Sequence, residues 1–128
     1  MKSAYSVAEV RAAEARLMEQ LPAGALMQRA VAGLTSVCID LLLDHCAGVN
    51  GTRVVLLVGT GNNGGDTLWC GSQLADRGAD VTAITFGSTW HVEGGQALLQ
   101  SGGRLIAADS DQCRALVDAA DLVLDGIL

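Results

Sequence analysis

Val54-Val55-Leu56-Leu57-Val58-Gly59-Thr60-Gly61-Asn62-Asn63-Gly64-Gly65-Asp66 is the stretch that decides the fold of this chain. Five apolar residues run directly into an eight-residue segment with four glycines, two asparagines and an aspartate. A short unbroken apolar run bounded by glycine reads as a buried strand. Beyond the glycines, Leu68 and Ala75, and Cys70 and Leu74, fall at helical spacings. The segment therefore reads as a turn joining a buried strand to a helix. In α/β proteins that junction is an anion and nucleotide site, because free backbone N–H groups and the positive helix end converge there.

On the N-terminal side, Ala47–Thr52 is a turn rich in Gly and Asn. A helix from Leu26 to about Cys46 precedes it, with Leu26, Ala30, Leu34, Val37 and Leu41 as its apolar stripe and Met27 as core filler. His45 suits the negative end of that helix. Pro22 and Gly24 separate it from an earlier helix over Val7–Glu19, opened by the capping pattern Ser6-Val7-Ala8-Glu9 and carrying Glu14 at the edge of its apolar face. On the C-terminal side, Val81–Phe86 is a second strand, followed by a loop through Trp90 and His91 and a helix over Glu93–Ser101. Arg104–Ala107 is a third strand. A helix through Cys113, Leu116 and Val117, capped by Asp109 or Ser110, leads to a fourth strand at Asp121–Asp125.

Two helices followed by alternating strands and helices imply a parallel sheet with right-handed crossovers. The expected fold is α/β: a Rossmann-like, doubly wound, three-layer α/β/α domain with two extra N-terminal helices. The 128 residues suffice for one domain, and 50% apolar with 17% charged residues excludes a disordered chain. A net charge of −6 argues against nucleic-acid binding. Cys38, Cys46, Cys70 and Cys113 form no CxxC or metal-finger spacing, and reduced thiols are expected. No apolar run has membrane-span length and no secretion signal opens the chain, so the expected setting is soluble and cytoplasmic.

In such a sheet the ligand sits outside the carboxyl ends of the strands, where the winding reverses. With strand order 3-2-1-4, the first and fourth strands are neighbours there, bringing Asn62, Asn63, Asp66 and Asp125 to one crevice. Gly61, Gly64 and Gly65 would supply positive φ and close ligand approach, or simply a tight turn. The asparagines could fix a ligand amide, coordinate a hard cation or satisfy turn backbone. Asp66 could be a helix N-cap, and Asp125 a strand-end cap. The GxGxxG spacing is present, but Phe86-Gly87-Ser88 ends the second strand without an acidic residue for a ribose, unlike the dinucleotide fingerprint. A Walker loop is excluded for want of Lys-Ser/Thr.

The string GTGNNGGD after a buried strand closely resembles the signature of the NAD(P)H-hydrate epimerase family, the YjeF N-terminal domains. Val7–Glu14, Leu26–Ala30 and Leu124-Asp125-Gly126-Ile127-Leu128 are similar to further stretches of that family. The resemblance implies interconversion of the R and S hydrates of NADH and NADPH, a cofactor repair step shared with a fused or separate dehydratase. It implies that Asn62, Asn63, Gly64, Gly65 and Asp66 contact the hydrate, and that Asn63 and Asp125 hold a potassium ion. Asp66 is the best acid/base candidate in the chain, read here as binding rather than catalysing; the resemblance names no catalytic residue within it.

Two departures stand out. The family's usual Asp-Gly and Ala-Arg positions read Asp66-Thr67 and Gly71-Ser72, and the chain reaches only the start of the second glycine loop. The resemblance therefore implies a domain over residues 1–128 that is incomplete at its C-terminus, an expectation strengthened by the open edge of a sheet ending on its fourth strand. The rival readings are an NAD(P)-dependent dehydrogenase and a non-catalytic binding module of the same fold. Oligomeric state, a homodimer included, stays open.

Overall fold

The computed structural model describes residues 3–6 and 23–127. The helix expected over Val7–Glu19, with Glu14, lies outside the described residues, as do the side chains of Leu26 and Met27. The elements in chain order are β1 (Ser3–Ser6), α1 (Ala23–His45), β2 (Arg53–Val58), α2 (Asn62–Asp76), β3 (Asp80–Thr85), α3 (Val92–Gln100), β4 (Arg104–Ala107), α4 (Cys113–Ala119) and β5 (Leu122–Gly126).

The five strands form one parallel sheet in the order β1-β5-β2-β3-β4. The order 4-3-2-5 within it is the expected 3-2-1-4 arrangement, so the winding reverses between β2 and β5. Strand β1 is an element not expected from the sequence: it pairs with β5 from Ser3↔Leu122 to Ser6↔Asp125, and the helix that Ser6 was read to cap lies outside the described residues. The β5 edge expected to be open is therefore covered.

The two faces of the sheet are unequally packed. Val54, Leu56, Val58, Val81, Ala83, Leu122 and Leu124 share one core with Leu34 of α1, Leu68, Cys70 and Leu74 of α2, and Leu98 of α3. The other face joins Val55, Ile84 and Val123 to partly buried Cys113, Leu116 and Val117 of α4. Helix α4 has no fully buried residue. Its start also differs from expectation: Gln112, not Asp109 or Ser110, is the N-cap, while the Ser110 hydroxyl accepts from Gln112 N at 3.3 Å within the preceding turn.

Helix α1 turns a different stripe inward from the one read. Ala30, Leu34, Cys38 and Leu42 are buried at strict i, i+4 spacing, whereas Val37 and Leu41 sit at its margin. Gly78 and Gly102, both with positive φ, end α2 and α3 as the turns expected there require.

Candidate functional site at the β2–β5 strand ends

The loop after β2 is shorter than the sequence suggests. Only Gly59, Thr60 and Gly61 separate β2 from α2, and Asn62–Asp66 already form the first turns of that helix. Gly59 N donates to Gly126 O at 3.4 Å, which locks the loop onto the end of β5. Gly64 and Gly65 N donate back to Gly61 O at 3.1 and 3.3 Å and start the helix. No side chain caps it, and Gly61 at the N-cap is extended, with φ −91°.

The glycines were expected to supply positive φ; none of the four in this stretch does. Their reason is space. A Cβ on Gly64 would collide with the Gly59 carbonyl oxygen, and one on Gly126 with the Thr67 hydroxyl. A Cβ on Gly59 would lie 3.1 Å from Ile127 Cα. Gly61 differs: a Cβ there would meet nothing within 4 Å. Neither dihedral angle nor packing among the described residues demands glycine at that position.

Along the helix, Asn62 is exposed and Asn63 half-buried, with the Asn63 carbonyl accepting from the Thr67 hydroxyl at 2.6 Å. Asp66 is only 7% exposed and lies a full turn inside α2, so it is not the N-cap. Asp125 stands in register with Leu57 at the end of β5. Strand alternation puts its side chain on the α4 face with Val123, while α2 packs over Leu124 and Gly126. Its Oδ1 accepts from Ile127 N at 2.9 Å, the strand-end capping role. The fold thus gathers Asn62–Asp66 at one helix terminus and sets Asp125 beside it on the neighbouring strand. Among the described residues no three His, Cys, Asp or Glu side chains form a metal-holding group.

His91, read as part of a surface loop, is the N-cap of α3: its Nδ1 accepts from Gly94 N at 3.0 Å. Its ring lies against α2, since a Cβ on Gly65 would sit 3.1 Å from His91 Cγ and Cδ2. The available signal was position, a polar side chain directly before Val92-Glu93-Gly94; histidine is outside the usual N-cap set and so gave no warning. Trp69 is 38% exposed on α2.

A cleft of about 460 Å³ opens at the opposite end of the sheet between Arg53, Thr82, Arg104 and Leu116. Arg104 there is bound to Thr82 Oγ1 at 2.9 Å and faces Asp80 at 3.7 Å. It lies at the amino ends of the strands, whereas the winding reversal and the uncapped helix lie at the carboxyl ends.

The family profile described as YjeF-related protein N-terminus matches residues 23–128. The chain belongs to that family. It is 42% identical over 129 residues to a Mycobacterium leprae protein named bifunctional NAD(P)H-hydrate repair enzyme Nnr, covering 100% of this chain and 26% of the relative. It is 40% identical over 128 residues to a Clavibacter michiganensis protein named NAD(P)H-hydrate epimerase, covering 97% of this chain and 51% of that protein. The chain thus spans about a quarter to a half of the curated relatives it matches. The crystal structure of the yeast protein ynu0 shares the fold, with a TM-score of 0.63 at 20% identity over 98% of this chain and 56% of the other.

The family member's two departures have structural settings. Ser72 is buried and its hydroxyl reaches Ala97 O at 3.1 Å and Ser101 Oγ at 2.8 Å, tying α2 to α3. An arginine there has no room without displacing α3. Thr67 is fully buried over Gly126. A Cβ on Gly71 would collide with Leu56. None of the three side-chain positions opens to the α2 mouth. Among the described residues no helix is long and apolar enough to cross a membrane.

Proposed function

We propose that this chain carries the epimerase function of NAD(P)H-hydrate repair, interconverting the R and S hydrates of NADH and NADPH. The observation that carries the reading is the start of α2 at the winding reversal, without a side-chain cap and with a glycine at Gly61 that no contact among the described residues requires. The positive end of a 15-residue helix that has no side-chain cap suits a dinucleotide's phosphates. The names of the relatives supply the substrate. Asn62, Asn63, Gly64, Gly65 and Asp66 would contact it, and the buried Asp66 would bind rather than transfer protons.

Asn63 and Asp125 would hold potassium. Their oxygens, a carboxamide and a carboxylate, suit a hard monovalent cation, and Asp125 Oδ1 is already engaged by Ile127 N. When bound, that ion would supply positive charge beside the dinucleotide. Epimerisation removes and returns a group at one carbon, which requires an acid/base at a water-excluding pocket. The reading places residues 1–128 within one domain, continued in the full protein by the group that moves the proton. The bifunctional naming of the longer relatives supports a second, dehydratase activity in the same polypeptide or a separate partner. The cytoplasm is the expected compartment, where NADH and NADPH are turned over.

The test is R-to-S interconversion of NADPH hydrate followed by chromatography in potassium and in sodium buffer. It is run on this chain, on Asn63→Ala and on the gene-extended protein. Turnover that needs potassium and is lost in Asn63→Ala supports the assignment. Turnover confined to the extended protein places the proton-transfer group beyond residue 128. Binding of the hydrate without turnover by either form shifts the reading to a non-catalytic module, and conversion of NADPH itself to NADP⁺ with a second substrate shifts it to a dehydrogenase.

A further inference from the structure

The imidazole of His91 bridges two helix termini. Its Nδ1 accepts from Gly94 N at 3.0 Å at the start of α3, while its Cγ–Cδ2 edge lies on Gly65 in the second turn of α2. Accepting at Nδ1 fixes the neutral tautomer with the proton on Nε2. Nε2 is bonded to Cδ2, one of the His91 atoms that lie nearest Gly65. The Nε2–H has no hydrogen-bond partner among the described residues, and His91 is exposed. Gly65 leaves the ring its place, because a side chain there would push it away.

A donor fixed in tautomer and orientation, beside the N-terminus of α2 and on the N-terminus of α3, stands where two positive helix ends converge. Its complement is an anionic oxygen. We infer that His91 is a ligand-binding residue of this site, whose Nε2–H donates to a pyrophosphate oxygen of the dinucleotide while Nδ1 caps α3. This rests on the proposed function, and it adds a residue outside the Asn62–Asp66 segment.

The two nitrogens can be separated by substitution. His91→Asn retains an acceptor near the position of Nδ1, a favoured N-cap, and removes the outer donor. His91→Gln places an amide N–H near the position of Nε2. Calorimetric titration with NADPH hydrate and with ADP-ribose, which also carries the pyrophosphate, is paired with thermal unfolding. His91→Asn is expected to unfold as the native protein does but to bind both ligands about ten- to a hundredfold more weakly. His91→Gln is expected to recover most of that affinity. If His91→Asn binds as tightly as native protein, the histidine is a cap only and the inference fails. If it loses affinity for the hydrate but not for ADP-ribose, the donor does not face the pyrophosphate and the assignment is overturned. If native protein binds neither ligand, the proposed function fails at the site itself, an outcome read without any variant.

Discussion

Gly61 and Gly64 are three residues apart and glycine for opposite reasons. At Gly64 a methyl group would strike the Gly59 backbone, which cannot rotate away. Gly64→Ala is therefore expected to cost about 1–3 kcal/mol in urea unfolding. At Gly61 the backbone is extended and the space is open, so Gly61→Ala is expected to leave stability unchanged or raise it by up to ~1 kcal/mol, while weakening binding of NADPH hydrate. A loss of stability in Gly61→Ala equal to that in Gly64→Ala would remove the ligand from the explanation. Cys38 makes a third residue-scale case. Cys38 and Cys70 Sγ lie 3.9 Å apart in the core and share a proton between them: the bond and burial raise the Cys38 pKa far above its ordinary value of 9.0, while the same bond lowers that of Cys70. At Cys38 the folded state thus keeps a proton that the unfolded chain releases. The Cys38 share of the stability is fully present below pH 9 and declines above it, while the lowered Cys70 thiol acts in the opposite sense. Urea unfolding between pH 8 and 10 should show a shallower decline in Cys38→Ala.

Among the elements, α2 and α4 stand at opposite extremes. Helix α2 buries Leu68, Cys70 and Leu74 completely and is tied to α3 through Ser72. Ser72→Ala removes both bonds and is expected to cost about 1–2 kcal/mol. Ser72→Arg should cost more, because a long cation must enter the α2–α3 seam; equal losses would show that the seam opens freely. Helix α4, with no fully buried residue, covers its sheet face only partly. Its amides should exchange with deuterium well before those of α2. The element positions were legible from the sequence because buried parallel strands are unbroken apolar runs and β2 is the clearest of these. The inward face of α1 was less legible: Leu41 and Leu42, and Val37 and Cys38, are adjacent apolar pairs, and only the direction of the sheet chooses between their members.

At the scale of the molecule, β1 makes β5 an interior strand. Deleting residues 1–6 would expose the β5 N–H and C=O row, and an unpaired edge invites pairing with another chain. Self-association measured by sedimentation velocity should rise in that truncation, and an unchanged monomer–oligomer distribution would show that β1 does not protect the edge.

The sequence by itself determined the α/β alternation and the position of the Asn62–Asp66 segment just after β2, because both depend on local apolar pattern. The strand order around β2 and β5 was an expectation of the common topology that the sheet bears out. Only the tertiary structure decided three things. Ser3–Ser6 lacks an apolar run and becomes a strand because the β5 edge offers it hydrogen bonds. The loop glycines pattern as turn residues, yet what they provide is clearance between β2, β5 and α2, a distance between segments remote in the chain. His91 lies 26 residues beyond Gly65, and only the packing of α3 against α2 brings its ring to the turn where the ligand is proposed to bind.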